Sequence, residues 1–279
     1  MNSKSAIRWV TALKPEAQPI IDALGLRRFA KCKKYPIYTD KSEENWLIIS
    51  GVGQTNVVTA VEYLYQESDA PPWSGWINLG IAGSGLDDYG RMYLVDKISS
   101  EIAPNSLFPG VAISSDLPRS GLFTVRKPRT DYEGQELIDM EGYCFYKSVN
   151  RFCCRELIVV LKVVSDGSNA NIKALNSRKI KKLILGNLEK VLVTASHLSE
   201  LSNFEAKRLT APDQYEIVLA KWHFTVSQEY QLKNLLYRWH SCFPDKLLIS
   251  HISHCKNAQS VLKHLSEEVD PIEIDWGKV

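Results

Sequence analysis

Runs of Val, Ile and Leu alternate with stretches of helical period through the first two thirds of the chain. Ala6 to Leu13 predicts a strand, Pro15 to Leu24 a helix with proline near its start, and Trp46 to Ser50 a buried strand ending at Gly51. Gln54 to Tyr65 predicts the next helix. Trp76 to Gly80 and Met92 to Ile98 read as strands, as does Leu157 to Val164, an apolar run broken only by Lys162. Strands separated by helices predict an α/β domain with a mainly parallel sheet and helices on both faces. In such sheets ligands gather where strands end at their carboxyl side.

The pattern changes after Asp166. From Asn171 onward the chain reads as helical, with Lys173, Arg178, Lys179, Lys181 and Lys182 on a basic, solvated stretch, and Leu183 to Leu198 continuing at helical spacing. Further on, Ser227 to Trp239 reads as a helix with a serine N-cap, and Ala258 to Val269 as another amphipathic helix. A boundary between Ser202 and Pro212 divides the chain into a first domain, 1–202, and a mostly helical extension, 203–279.

Composition narrows the function classes. Hydrophobic residues at 44% and charged residues at 24% describe a globular chain, not a disordered one. A net charge of +2 supplies no field to recruit nucleic acid or an acidic membrane, and no run is long enough to span a bilayer. Met1 to Val10 carries Lys4 and Arg8 and has no apolar leader core, so the expected location is the cytoplasm. The 6 cysteines, without a CxxC pair, read as reduced thiols.

Three acidic residues stand at strand ends or strand-to-helix turns: Glu16, Glu141 and Asp166. Each alone reads as an N-cap or a surface charge; at one edge of one sheet they would face a common crevice. Two glycine segments also follow strands, Ser50-Gly-Val-Gly53 and Gly80-Ile-Ala-Gly83-Ser-Gly85. Such loops let backbone amides approach a ligand closely. Neither matches GxGxxG or GxxxxGK[ST], so a Rossmann or P-loop assignment has no support.

Taken in order, Ala12-Leu-Lys-Pro-Glu16, Ser50-Gly-Val-Gly-Gln-Thr-Asn56, Ile77-Asn-Leu-Gly-Ile-Ala-Gly83, Val95-Asp96-Lys-Ile98, Asp139-Met-Glu141 and Val163-Val-Ser-Asp166 resemble the nucleoside phosphorylase and nucleosidase superfamily over about residues 6 to 200. The hydrolase branch is the nearer likeness: 5′-methylthioadenosine/S-adenosylhomocysteine nucleosidase and futalosine hydrolase. The resemblance implies a three-layer phosphorylase/hydrolase-like fold around a mixed, mainly parallel sheet, and cleavage of the N-glycosidic bond of a purine-type nucleoside. It casts Asp166 as the acid that meets the leaving base and Glu16 as the base that activates water. Glu141 would grip the ribose hydroxyls with Met140 beneath the sugar, its charge favouring an oxocarbenium-like transition state. Ala82, Gly83, Ser165 and Lys162 are expected to line the substrate site, with Lys162 where the nucleosidases usually carry arginine. Phe123 is expected to stack on the base.

Asn78 and Ile81 stand where the phosphorylases would place an arginine and a serine of their phosphate site. Water is therefore the preferred nucleophile, although Arg91, Arg119, Arg126 or Lys162 could meet an anion. Phosphate would be a co-substrate only if the enzyme were a phosphorylase, and no other cofactor and no metal is implied. A noncatalytic nucleoside-binding or partner-docking protein on the same scaffold is the remaining alternative. Relatives assemble from several copies, so a homo-oligomer is expected. The extension holds His223, His240, His251, His254 and His264 with Cys242 and Cys255, at no standard zinc spacing. Its Trp222, Phe224, Tyr230, Tyr237 and Trp239 read as the core of a helical appendage.

Overall fold

A computed structural model of the chain describes residues 7–31, 34–86, 88–110, 113, 115–129, 132, 136–167, 175–212 and 214–271. The expectations for Lys4, Ala6, Cys32, Asn171 and Lys173 fall outside them. The chain divides into two compact units, Met1–Leu209 and Thr210–Val279.

In the first unit β1 (Ile7–Thr11) leads into α1 (Lys14–Ala23), followed by β2 (Arg27–Arg28), β3 (Ile37–Thr39), β4 (Asn45–Ile49), α2 (Gln54–Glu67) and β5 (Gly75–Ser84). Next come β6 (Met92–Ser100), β7 (Ala103–Leu107), β8 (Arg119–Thr124), β9 (Leu137–Asp139), α3 (Gly142–Val149) and β10 (Ile158–Gly167). Two helices close the unit, α4 (Ser177–Leu185) and α5 (Leu188–Leu209). Helix α5 runs unbroken through residue 202, so the division between the units falls at its end, after Leu209.

The sheet is mixed. β4, β1, β5 and β10 are successive parallel neighbours, and β6, β8 and β9 are also joined in parallel. Antiparallel pairings link β10 to β6, β5 to β9, β6 to β7, and the β2, β3 and β4 margin. β5 pairs with β1 from Gly75 to Asn78 and with β9 at Gly83, while β10 pairs with both β5 and β6. The path of pairings therefore closes through β5, β10, β6, β8 and β9. The β1–β5 register ends at Val10 and Asn78, and a crevice opens just past it, lined by Ala12 and Leu13 after β1 and by Ile81, Ala82 and Gly83 on β5.

Strand alternation sorts the core into two clusters. Val10, Ile48, Trp76 and Val160 pack with Val57, Val61 and Leu64 of α2 and Phe145 and Val149 of α3. Their chain neighbours Trp9, Leu47, Ile77, Val159 and Leu161 pack with Ala17 and Ile20 of α1, Ile184 of α4, and Val191 and Leu198 of α5. The central strands are buried on both sides, which is why they read as continuous apolar runs.

The second unit holds α6 (Tyr215–Lys221), α7 (Val226–Cys242), α8 (Leu248–Ile252) and α9 (Ala258–Val269). The N-cap of α7 is Thr225, not Ser227: the Thr225 hydroxyl accepts from the Gln228 N–H while the Gln228 side chain accepts from the Thr225 N–H. Trp222, Phe224, Leu232, Leu236, Trp239, Leu248, Val261 and Leu265 form its core, and Tyr230 is exposed. No helix among the described residues is long and apolar enough to cross a membrane.

Candidate active site

Glu16, Glu141 and Asp166 line one cavity of about 270 Å³ at the carboxyl end of the sheet. Met140, Ala82, Gly83 and Ser165 also line it, as do Leu13, Val52, Ile81, Arg129, Tyr132 and Asp139.

Glu16 lies in the first turn of α1, and its carboxyl reaches back over the helix start. Its Oε2 accepts from the N–H groups of Ala12 at 3.0 Å and Leu13 at 2.8 Å, and its Oε1 accepts from the Ile81 N–H at 3.0 Å. It therefore caps α1 and ties that helix to β5 with a single side chain. Burial raises the Glu16 pKa above the usual carboxyl range, against the opposing pull of the Ile81 N–H and the Lys162 charge. A buried carboxyl of raised pKa beside open cavity is a stronger proton acceptor than an exposed one.

Glu141 is the N-cap residue of α3 and accepts from the Gly53 N–H at 2.6 Å. Gly53 adopts φ +105°, a conformation reserved for glycine, and this turns its N–H toward the carboxylate. Burial, then the neighbouring Asp139 charge, pushes the Glu141 pKa up to about 7, while Lys162 pulls the other way.

Asp166 owes its place to a β-bulge. The β10–β5 register pairs Val164 with Ala82 and then Asp166 with Gly83, so Ser165 and Asp166 together oppose one step of the partner strand. Regular alternation would send these two neighbours to opposite faces; the bulge lets both line the cavity. The Ser165 hydroxyl lies 2.5 Å from Asp166 Oδ1, to which it donates, and the Tyr132 hydroxyl donates to Asp166 Oδ2.

Lys162 behaves differently from the expectation that it touches substrate. It is 2% exposed, lies outside the cavity lining, and its Nζ is 2.8 Å from Asp139 Oδ2 in a fully buried ion pair. Burial alone would lower its pKa, but Asp139, Glu141 and Glu16 together hold it above the ordinary lysine value. Lys162 thus acts on the site through carboxylates. Asp139 is fixed further by the Thr124 hydroxyl, which donates to Oδ1 at 2.7 Å, and by the Gly142 N–H, which donates to Oδ2 at 2.8 Å.

Phe123 is not brought to the cavity. On β8, Leu122 and Thr124 point into the core and against Asp139, so Phe123 points the other way, and the Arg129 guanidinium lies 5.6 Å from its ring centre. Arg129 and Tyr132 line the cavity in its place. Arg91, Arg119 and Arg126 do not line it. Asn78 is buried with its amide donating to the Val10 carbonyl at 3.1 Å. The Asp139 side chain is the member of the cluster that sequence reasoning left without a role. A lysine inside an apolar strand was its signal, because a buried ammonium requires a buried anion.

In the second unit, the His254 and His264 rings meet edge-on at 4.7 Å, and His251 and His264 approach Glu268 at 3.6 and 3.5 Å. No cluster of three or more metal-ligating side chains occurs among the described residues.

No protein-family profile and no curated protein matches this sequence. Solved structures do match the fold. The 5′-methylthioadenosine/S-adenosylhomocysteine nucleosidase of Helicobacter pylori superposes with a TM-score of 0.55 at 14% identity, covering 70% of this chain and 99% of its own. The futalosine hydrolase of the same organism gives 0.55 at 13% identity, over 69% of this chain and 97% of its own. A nucleosidase from Chlamydia trachomatis gives 0.53 at 20% identity, over 69% and 99%. Nearly the whole of each of these proteins is thus matched within this longer chain, which shares their fold.

Proposed function

We propose that the chain hydrolyses the N-glycosidic bond of a purine-type nucleoside in the cavity of its first unit. The observation that carries this reading is the convergence of Glu16, Glu141 and Asp166, from three distant parts of the sequence, on one cavity with Met140 beside them.

Breaking this bond leaves positive charge on the ribose and negative charge on the departing base. Asp166, at the bulge, delivers a proton to the base. Glu141, ionised above about pH 7, accepts from ribose hydroxyls and offsets the ribose charge. Glu16 takes the proton of the attacking water, its second oxygen held off by the helix start.

The electrostatics favour water over phosphate. Beside Glu16 the nearest cation is Lys162, which is enclosed and paired with Asp139. Arg129, the cationic residue of the lining, lies over Phe123 and is 3.5 Å from Glu101. Among the described residues, a dianion placed between Glu16 and Glu141 would meet like charge with only these two engaged cations near it.

The test is base release from adenosine, inosine, methylthioadenosine and futalosine, each with and without phosphate. Release independent of phosphate is expected for at least one of them; strict phosphate dependence would make the enzyme a phosphorylase. Asp166→Asn should lower turnover about 10²- to 10⁴-fold with an unchanged circular dichroism spectrum. Full activity in that variant would remove Asp166 from the chemistry.

A further inference from the structure

We propose that Tyr132 occupies the seat of the leaving base, so that a nucleoside enters only by displacing its phenol ring from Asp166. The proposal rests on the reading of Asp166 as the group that meets the base.

Three observations place the ring there. Tyr132 lines the same cavity as Asp166, Met140 and Glu141. Its ring is packed directly on the backbone of Gly83: a methyl group at that α-carbon would come within 2.3 Å of Cε1 and 2.9 Å of both Cζ and the hydroxyl oxygen. Its hydroxyl donates to Asp166 Oδ2 while Ser165 takes Oδ1. Each Asp166 oxygen therefore already accepts a hydrogen bond while the phenol is in place, and an incoming base must compete with the tyrosine for Oδ2.

A phenol is a fair chemical stand-in for a purine at this position. Both present a flat aromatic face to the glycine backbone and one polar edge to the carboxyl, and a free purine base carries a ring N–H able to replace the tyrosine O–H. The cavity left beside the ring, about 270 Å³, falls just under the roughly 300 Å³ lower bound of small-molecule sites. Removing the ring from the seat enlarges the space in the direction of Asp166.

Internal occupancy of this kind acts as a competitor present at fixed concentration. Apparent affinity falls by the fraction of molecules whose seat is open, and a base that hydrogen-bonds Asp166 poorly cannot compete. Tyr132 would then set which bases are accepted, through the bond they must replace, and not by touching the bound substrate.

The experiment is titration calorimetry of adenine and hypoxanthine against the full chain, Tyr132→Phe and Tyr132→Ala, with KM for the cleaved nucleoside measured on the same samples. Tyr132→Ala should bind at least one base about tenfold more tightly than the unaltered chain, and KM should fall in parallel. Tyr132→Phe keeps the ring but not its hydrogen bond, and should fall between them. If the chain cleaves nucleosides but both variants bind base no better, or worse, displacement is overturned and the hydrolase reading stands. If neither the chain nor either variant binds a base or releases one, the hydrolase reading falls and this proposal falls with it.

Discussion

At the scale of single residues, the site is a buried group of three carboxyls, Glu16, Asp139 and Glu141, around one ammonium. Their mutual charges predict shifts of opposite sign. Asp139 raises the Glu141 pKa and Lys162 lowers it, with burial the largest cause of its rise to about 7. In the proposed reaction ribose binding uses ionised Glu141, so kcat/KM should climb as pH rises through about 7. Asp139→Asn should move that limb to lower pH and Lys162→Met to higher pH; a limb that stays put in both would refute this electrostatic account. Glu141 also predicts a stability effect. Its pKa in the fold exceeds the ordinary 4.5, so its neutral form favours folding. That contribution is complete below 4.5 and disappears as pH rises through about 7, and Glu141→Gln should flatten this part of the stability curve in urea titrations. Lys162→Met should in addition destabilise the fold by about 3–5 kcal/mol, because it strands Asp139 in the interior. Glu16, Glu141 and Asp166 were legible in the sequence because each sits beside a strand end or a glycine segment. Tyr132 was not, since nothing in its neighbours' pattern announces contact with a residue 34 positions away.

At the scale of elements, the loop Ser50-Gly-Val-Gly53 was legible as a ligand-facing turn, and its observed contact is the Gly53 N–H donated to the Glu141 carboxylate. Gly53→Ala meets no steric obstacle, yet φ +105° forbids an L side chain at a cost of about 1–3 kcal/mol. Relaxing that strain turns the N–H away from Glu141, so KM should rise along with the loss of stability. Gly25→Ala, at φ +61° and equally open, is the control: it should cost about 1–2 kcal/mol and leave KM alone. Equal KM effects in the two variants would show that strain, and not the Glu141 contact, governs binding. The strands that alternation could find were the long buried ones, β1, β4, β5, β6 and β10, together with α1, α2, α7 and α9. β8, with Arg119, Ser120 and Gly121 at its start, and three-residue β9 have too few apolar positions to register as strands, although they close the sheet. α3 was missed because it opens on a glycine and is rich in aromatics, both weak helix signals; its position is fixed by packing of Phe145 and Val149 and by Glu141 at its start.

For the molecule as a whole, every residue of the candidate site belongs to the unit Met1–Leu209, while Thr210–Val279 has a separate core built on Leu232, Leu236, Trp239, Leu248, Val261 and Leu265. Among the described residues, the first unit buries two core clusters around a sheet and the second buries one among four helices. Burial per residue grows with domain size, so the shorter unit has the smaller margin of stability. Calorimetry of the full chain should therefore show two transitions, the lower one absent from a chain ending at Leu209. That shortened chain should keep the upper transition and release base from nucleoside at the rate of the full chain, because α5 ends at Leu209 and, among the described residues, none that lines the cavity lies beyond it. A single cooperative transition, or a shortened chain that folds but does not cleave, would show that the second unit takes part in forming the site. It would also move the search for substrate contacts to Thr210–Val279.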